Sequence, residues 1–379
     1  MNNRTLKLGF IGGGINSAIG DTHRIASQMD NRWKLEAGCF SKNTEINLDT
    51  ANKYGIDLKR LYSDWRDFLE NEKEKLDAVC ILTPTDQHYE MVITAVKLGL
   101  AVICEKSMSA NPQEAHQIEK IVQSTNGFLA VTFNYSGYPM IRELRKMIQD
   151  SKLGKIYQIQ IEMPQEGFLR KDKNGQFAKP QSWRLKDGNI PTVSLDLGVH
   201  LHHMIYFLTS ERPLEVIADQ STFGHFEVID NVMCIAKYSE GIRAQIWYSK
   251  SALGYRNGLR VRVFGELGSA EWYQMNPEEL IFNDIYGQRV LLDRTYNSSL
   301  AEETRYNRFK SGHPSGFIEA FANHYYDIAD SLLEFKKNGF YNSPYVFDAK
   351  IAKEGLELMG AISISTEKRI WKSIDTNIN

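Results

Sequence analysis

The sequence predicts an α/β fold in two parts: a doubly wound parallel sheet, then a second α/β domain with a meander-like, mostly antiparallel sheet. Three observations predict it. Up to about residue 134, continuous apolar runs alternate with helical segments, the pattern of parallel strands covered on both faces by crossover helices. The first of these runs ends in Gly12, Gly13 and Gly14. Beyond residue 134 the runs shorten and alternate, as antiparallel strands with one solvated face do.

Taken in order, residues 6–11 (LKLGFI) read as a strand and 21–30 as a helix. Strand 33–40 and helix 44–54 repeat the pair, and 64–71 adds a short helix. Strands at 76–82, 101–104 and 128–133 then enclose helices at 87–98 and 112–124. After a helix at 138–150 and an alternating strand at 156–163, residues 166–189 are rich in Lys, Gly, Gln and Pro and read as a long loop. Residues 193–208 are helical, seven short strands lie between 214 and 292, and two helices follow at 316–337 and 346–365. A chain of 379 residues suits two domains, placed at 1–134 and 135–379.

The stretch 8–23, LGFIGGGINSAIGDTH, holds the first functional signal. A strand that stops at glycines and feeds a helix suits a phosphate, because the backbone comes close and the helix N-terminus offers free N–H groups. In Gly12-Gly13-Gly14-Ile15-Asn16-Ser17, serine stands where G-x-G-x-x-G has its third glycine, and Gly20 follows three residues late. The spacing predicts a longer turn, with Gly20 packing the helix against the sheet.

Ligands of open parallel sheets bind at the carboxyl ends of the strands. Three ends carry polar groups: Thr83-Pro84 with His88, Glu105-Lys106-Ser107, and Asn134-Tyr135. A lysine in such a place can stabilise negative charge on a substrate oxygen; a solvated surface lysine is the plain alternative for Lys106. In the helix after the long loop, Asp196 and His200 are one turn apart, so the carboxylate can fix the imidazole's tautomer. A metal site at Asp196, His200 and His203 has the spacing but no further ligand, so no metal is expected. Trp183 and Arg184 are candidates for a substrate wall, and Gln165 is a weaker one. The second strand ends Ser41-Lys42-Asn43 without the acidic residue that usually reads the ribose of NAD. Ser41 and Lys42 suit a 2′-phosphate, and NAD and NADP both stay open.

The bulk numbers narrow the rest. At 42% hydrophobic and 24% charged, with a net charge of −2, the chain has an ordinary globular composition and no basic excess for nucleic acid. No apolar run reaches the roughly 18 residues of a membrane helix, and no secretory leader precedes the first strand. The four cysteines include no C-x-x-C pair, which favours buried thiols in a reducing cytoplasm over disulfides or zinc.

Together the glycine turn with His23, Thr83-Pro84 with His88, Glu105-Lys106 and Asp196-Leu197-Gly198-Val199-His200 resemble the motifs of the Gfo/Idh/MocA oxidoreductases, over nearly the whole length. The resemblance implies an N-terminal Rossmann domain and a C-terminal α/β domain whose large, open sheet forms the interface of a homodimer or homotetramer. It places Gly12, Gly14, Ile15, Asn16, Ser41, Lys42, Thr83, Pro84, His88, Glu105 and Lys106 at the cofactor. Lys106, Asn134, Tyr135, Trp183, Arg184, Asp196 and His200 fall at the substrate. It further implies hydride transfer between NAD(P) and a secondary hydroxyl of a sugar, sugar derivative or inositol. His200 moves the proton, Asp196 orients it and Lys106 stabilises the alkoxide, with Lys106 and His200 converging from different domains. Ser107 departs from the family's Glu-Lys-Pro motif and loosens the local backbone restriction. Alternatives are a glycoside-cleaving enzyme with a recycled cofactor, a nucleotide-sugar dehydrogenase, and a binding or regulatory protein on the same scaffold.

Overall fold

A computed structural model describes residues 4–295, 298–310 and 312–374. The chain begins with β1 (Leu6–Gly12), α1 (Gly20–Gln28), β2 (Trp33–Cys39), α2 (Thr44–Tyr54), α3 (Trp65–Glu72), β3 (Ala78–Leu82), α4 (His88–Lys97), β4 (Ala101–Glu105), α5 (Pro112–Thr125) and β5 (Leu129–Thr132). Then come α6 (Pro139–Gln149), β6 (Ile156–Pro164), α7 (Val199–Thr209), β7 (Pro213–Ser221), β8 (Asn231–Tyr238) and β9 (Arg243–Ser249). β10 (Arg260–Gly265), β11 (Gly268–Tyr273), β12 (Leu280–Asp284), β13 (Arg289–Leu292), α8 (Phe317–Asn338), α9 (Ala349–Lys368) and the short β14 (Lys372–Ser373) follow.

The first five strands form a parallel sheet in the order β2-β1-β3-β4-β5. Its strand order reverses between β1 and β3, where such sheets open a ligand crevice. Every residue of β3 and β4 is buried, which accounts for their unbroken apolar character. Local signals set the helices. The Asn43 side chain accepts a bond from the Ile46 N–H at 3.0 Å, and Gly55 at φ 71° ends α2. Asn111 caps α5 in the same way, with Pro112 in its first turn.

By contacts, the chain forms two compact units: Met1–Gly137 with Phe317–Lys353, and Tyr138–Gly316 with Glu354–Asn379. The division expected at residue 134 is therefore incomplete, because α8 returns to the first unit. There it packs on α1 and puts Phe321, Tyr325 and Ile328 into the same core as Leu8, Phe10 and Trp33.

The second unit is built on a nine-stranded sheet, β13-β12-β11-β10-β6-β9-β8-β7-β14. Its neighbours pair antiparallel except β6 with β9, which run parallel. One face buries Ile159, Ile161, Val232, Ala236, Ala244, Ile246, Val261 and Val263. The opposite face leaves Tyr157, Met233, Ile235 and Phe264 between 36% and 52% exposed. The segment expected as one helix from residue 193 instead opens with a widened π-helical turn, Ser194–Gly198, before α7.

Candidate functional site

In the first unit, the turn after β1 is shaped by two glycines with positive φ, Gly12 at 82° and Gly13 at 73°. A β-carbon at Gly20 would sit 2.1 Å from the Gly13 carbonyl oxygen, so α1 can start against this turn only with glycine. Ser17 Oγ accepts from the Ile19 and Gly20 N–H groups, both at 3.3 Å. The Ile15 N–H is taken by Thr50 Oγ1 at 3.0 Å, so Ile15 contributes its exposed position rather than that donor. After β2, the buried Asn47 accepts from the Phe40 and Ser41 N–H groups at 2.8 and 3.3 Å. Lys42 beside them is exposed.

The neighbouring strand ends are bound to one another. His88 is buried, with Nδ1 2.7 Å from the Ser107 carbonyl and Nε2 2.7 Å from the Thr83 carbonyl. Burial holds its pKa below the usual value against both bonds. His88 thus braces the β3 and β4 ends. Thr83 turns its hydroxyl to Met91 Sδ at 3.5 Å, and Pro84 leads into the short turn before α4. The peptide between Lys106 and Ser107 is cis. Glu105 Oε1 accepts from Thr132 Oγ1 at 2.5 Å and lies 3.2 Å from His23 Nε2. In the short turn after β5, Asn134 and Tyr135 are both buried. Asn134 Nδ2 has no hydrogen-bond partner, and a buried donor of this kind is a group for a ligand to satisfy.

In the second unit, Asp196 and His200 are buried on the π-helical turn and the first turn of α7. Widened turns of this type often mark functional positions. A β-carbon at Gly198, between them, would lie 2.5 Å from Met359 Sδ and 2.9 Å from the Tyr248 ring, which explains the glycine. Asp196 Oδ2 pairs with Arg184 and, at 2.6 Å, with Lys250 Nζ. The Arg184 guanidinium lies 4.3 Å over the Trp183 ring. Lys250 also donates to Gln165 Oε1 at 2.8 Å, and Gln165 Nε2 donates to Asn257 Oδ1 at 3.0 Å. The expected Trp183, Arg184, Gln165 and Asp196 therefore form one cluster.

Sequence reasoning missed Lys250, Asn257, Tyr325 and Thr132. The parallel pairing of β6 with β9 brings Lys250, just after β9, beside Gln165, just after β6, and no sequence motif links the two. His203 stacks on Phe207, and His202 sits 3.1 Å from the Tyr238 hydroxyl, its pKa pushed down to about 3 by burial. Both belong to the packing of α7. All four cysteines are free and buried.

The first unit fits a dinucleotide. Its glycine turn stands at the reversal of strand order, and the open Asn134 donor follows β5 at the edge of the same sheet. Comparison with known proteins agrees. The model described as "Oxidoreductase family, NAD-binding Rossmann fold" matches residues 6–133, and "GFO/IDH/MocA C-terminal domain" matches 141–271. The oxidoreductase YfiI of Bacillus subtilis (strain 168) is 28% identical, covering 87% of this chain and 86% of its own. Inositol 2-dehydrogenase of Rhizobium meliloti (strain 1021) is 26% identical, over 76% of this chain and 82% of its own. Among solved structures, an inositol dehydrogenase homologue from Azotobacter vinelandii, complexed with NADH and myo-inositol, superposes with a TM-score of 0.86 at 26% identity, over 98% of both chains. With two family models spanning more than half of its length, the chain belongs to the Gfo/Idh/MocA family of NAD-binding oxidoreductases.

Proposed function

We propose that the protein is a dehydrogenase that moves hydride between NAD and a secondary hydroxyl or ketone of a sugar, sugar derivative or inositol. What supports it is a glycine turn after β1 with Lys106 following β4 in one unit, and a buried Asp196 paired with Arg184 and Lys250, one turn before His200, in the other. The relatives named for inositol support the substrate class.

The bound nicotinamide supplies the hydride acceptor. The chain supplies the rest. His200 takes the hydroxyl proton, and Lys106 stabilises the alkoxide that this proton leaves behind. Asp196 holds His200 in orientation and is itself held by Arg184 and Lys250. Asn134, Tyr135, Trp183 and Arg184 contact the substrate's other hydroxyls. Gly12, Gly14 and Asn16 carry the pyrophosphate, and Ser41 and Lys42 face the adenosine ribose, where a 2′-phosphate would also be met.

A screen of cyclitols and sugars with NAD and NADP, read by absorbance of the reduced nicotinamide, tests the reading. Net reduction with a polyol supports it. Bond cleavage of a glycoside without net reduction would replace it by the recycled-cofactor alternative.

A second copy of the chain is the proposed cover of the exposed sheet face, which holds Tyr157, Met233, Ile235 and Phe264. Isolated apolar surface residues are ordinary, but a row of them across one sheet is an association surface. A cytoplasmic location belongs to the same proposal, supported by four free, buried thiols.

A further inference from the structure

Behind the end of β4 runs a chain of buried polar groups. Cys80 Sγ lies 3.3 Å from the Tyr325 hydroxyl, which lies 2.7 Å from His23 Nδ1. His23 Nε2 lies 3.2 Å from Glu105 Oε1, where Thr132 Oγ1 also converges. The five side chains come from β3, α8, α1, β4 and β5. Cys80, His23 and Thr132 are 0% exposed, Tyr325 1% and Glu105 8%. Only the Glu105 end reaches the surface.

A carboxylate only accepts, so Thr132 and His23 Nε2 both donate to Glu105. On its other side the His23 ring meets the Tyr325 hydroxyl through Nδ1, and that hydroxyl meets the Cys80 thiol. Burial pushes the thiol and the phenol up, so both stay protonated. At Glu105 burial pushes the same way, but the His23 hydrogen bond and charge, the Lys106 cation and the Thr132 hydrogen bond outweigh it and hold the carboxyl at about 2. The negative charge of the chain is therefore confined to Glu105, next to Lys106.

We propose that Glu105 is a fixed counter-charge that makes the site favour the oxidised nicotinamide over the reduced one. This rests on the NAD-dependent reading above. The oxidised ring carries a positive charge and the reduced ring none, while the rest of the dinucleotide is the same in both. A permanent anion at the strand end thus acts on one form only, and only a differential interaction shifts an equilibrium. The buried chain keeps the carboxylate ionised and in place.

The test compares dissociation constants of NAD+ and NADH, by calorimetry and NADH fluorescence, on the full chain. Glu105→Gln keeps the shape and removes the charge. It should weaken NAD+ binding on the order of tenfold more than NADH binding, the scale of a unit-charge interaction in a partly shielded site. Lys106→Met removes the opposing charge and should move the ratio the other way, toward NAD+. This second variant decides the matter if Glu105→Gln does not fold. Equal weakening of both forms by Glu105→Gln, or an unchanged ratio in Lys106→Met, overturns the counter-charge. A wild-type chain that binds neither form overturns the dehydrogenase reading and the counter-charge together.

Discussion

A β-carbon at Gly14 would meet the Phe40 carbonyl oxygen at 3.2 Å and Asn16 Oδ1 at 3.3 Å. The turn has no slack for a branched side chain on its protein side, so the excess volume falls where a pyrophosphate would approach. Gly14→Val should therefore abolish nicotinamide binding while circular dichroism stays native; calorimetric affinity equal to wild type would take the turn out of the cofactor site. The acid–base groups make a different demand. Such groups contribute about 10²–10⁴-fold, so Lys106→Ala and His200→Ala should each cut kcat on that scale, with cofactor affinity largely kept in His200→Ala. Asp196→Asn should do less, since it disturbs the histidine rather than removing it. Normal turnover in His200→Ala would remove the histidine from the reaction. Asp196 also neutralises Arg184 and Lys250, a role invisible in the sequence because the three lie on a loop, a turn and a strand end with no shared motif.

At the scale of elements, α2 shows how local signals set up a site. Asn43 caps it, and the two residues before the cap are Ser41 and Lys42. Losing an N-cap costs about 1 kcal/mol, so Asn43→Ala should lower the urea-derived stability by that amount. Lys42→Ala should leave stability alone. If Lys42 reads a 2′-phosphate, the substitution weakens NADP and spares NAD; equal losses, or none, exclude that role. β3, β4 and β5 were legible because every residue in them is buried and each so reads as an apolar run; β1 and β2 keep the exposed Lys7 and Lys34 and were legible from the apolar residues around them. The glycine turn and the Asp196-to-His200 motif were legible from residue type and spacing. The π-helical turn was not, since nothing in Ser194-Leu195-Asp196-Leu197-Gly198 distinguishes it from an α-helical turn. Nor was the placement of α8: an amphipathic helix shows that it buries a face, not which sheet it buries it against.

At the scale of the molecule, Asp77 ties distant parts of the first unit together. It pairs with Arg4 and Lys336 and accepts from the Lys7 N–H at 2.9 Å. Burial raises its pKa, but the bonds from Arg4, Lys336 and Lys7 lower it further, to a net value below the usual one. A carboxyl depressed on folding adds stability above its unfolded value of about 3.9 and loses it as pH falls through the folded value. Asp77→Asn should thus shrink the difference between urea midpoints at pH 7 and pH 3; an unchanged difference would show that other carboxyls set the acid limb. On the second unit, Ile235→Glu should shift sedimentation toward a smaller species if a second copy covers the sheet face, and no shift would free that face of the role.

The return of α8 to the first unit also sets a timetable. A ribosome completes β1 to β5 well before it reaches Phe321, Tyr325 and Ile328, which fill the same core. At about 5–20 residues per second the delay is roughly ten seconds or more. Through that interval the nascent sheet has an open apolar flank, and His23 lacks its tyrosine. A released fragment of residues 1–134 should keep that flank indefinitely and aggregate, whereas the full chain closes it on arrival of the helix. The cofactor half of this enzyme is encoded first and finished almost last.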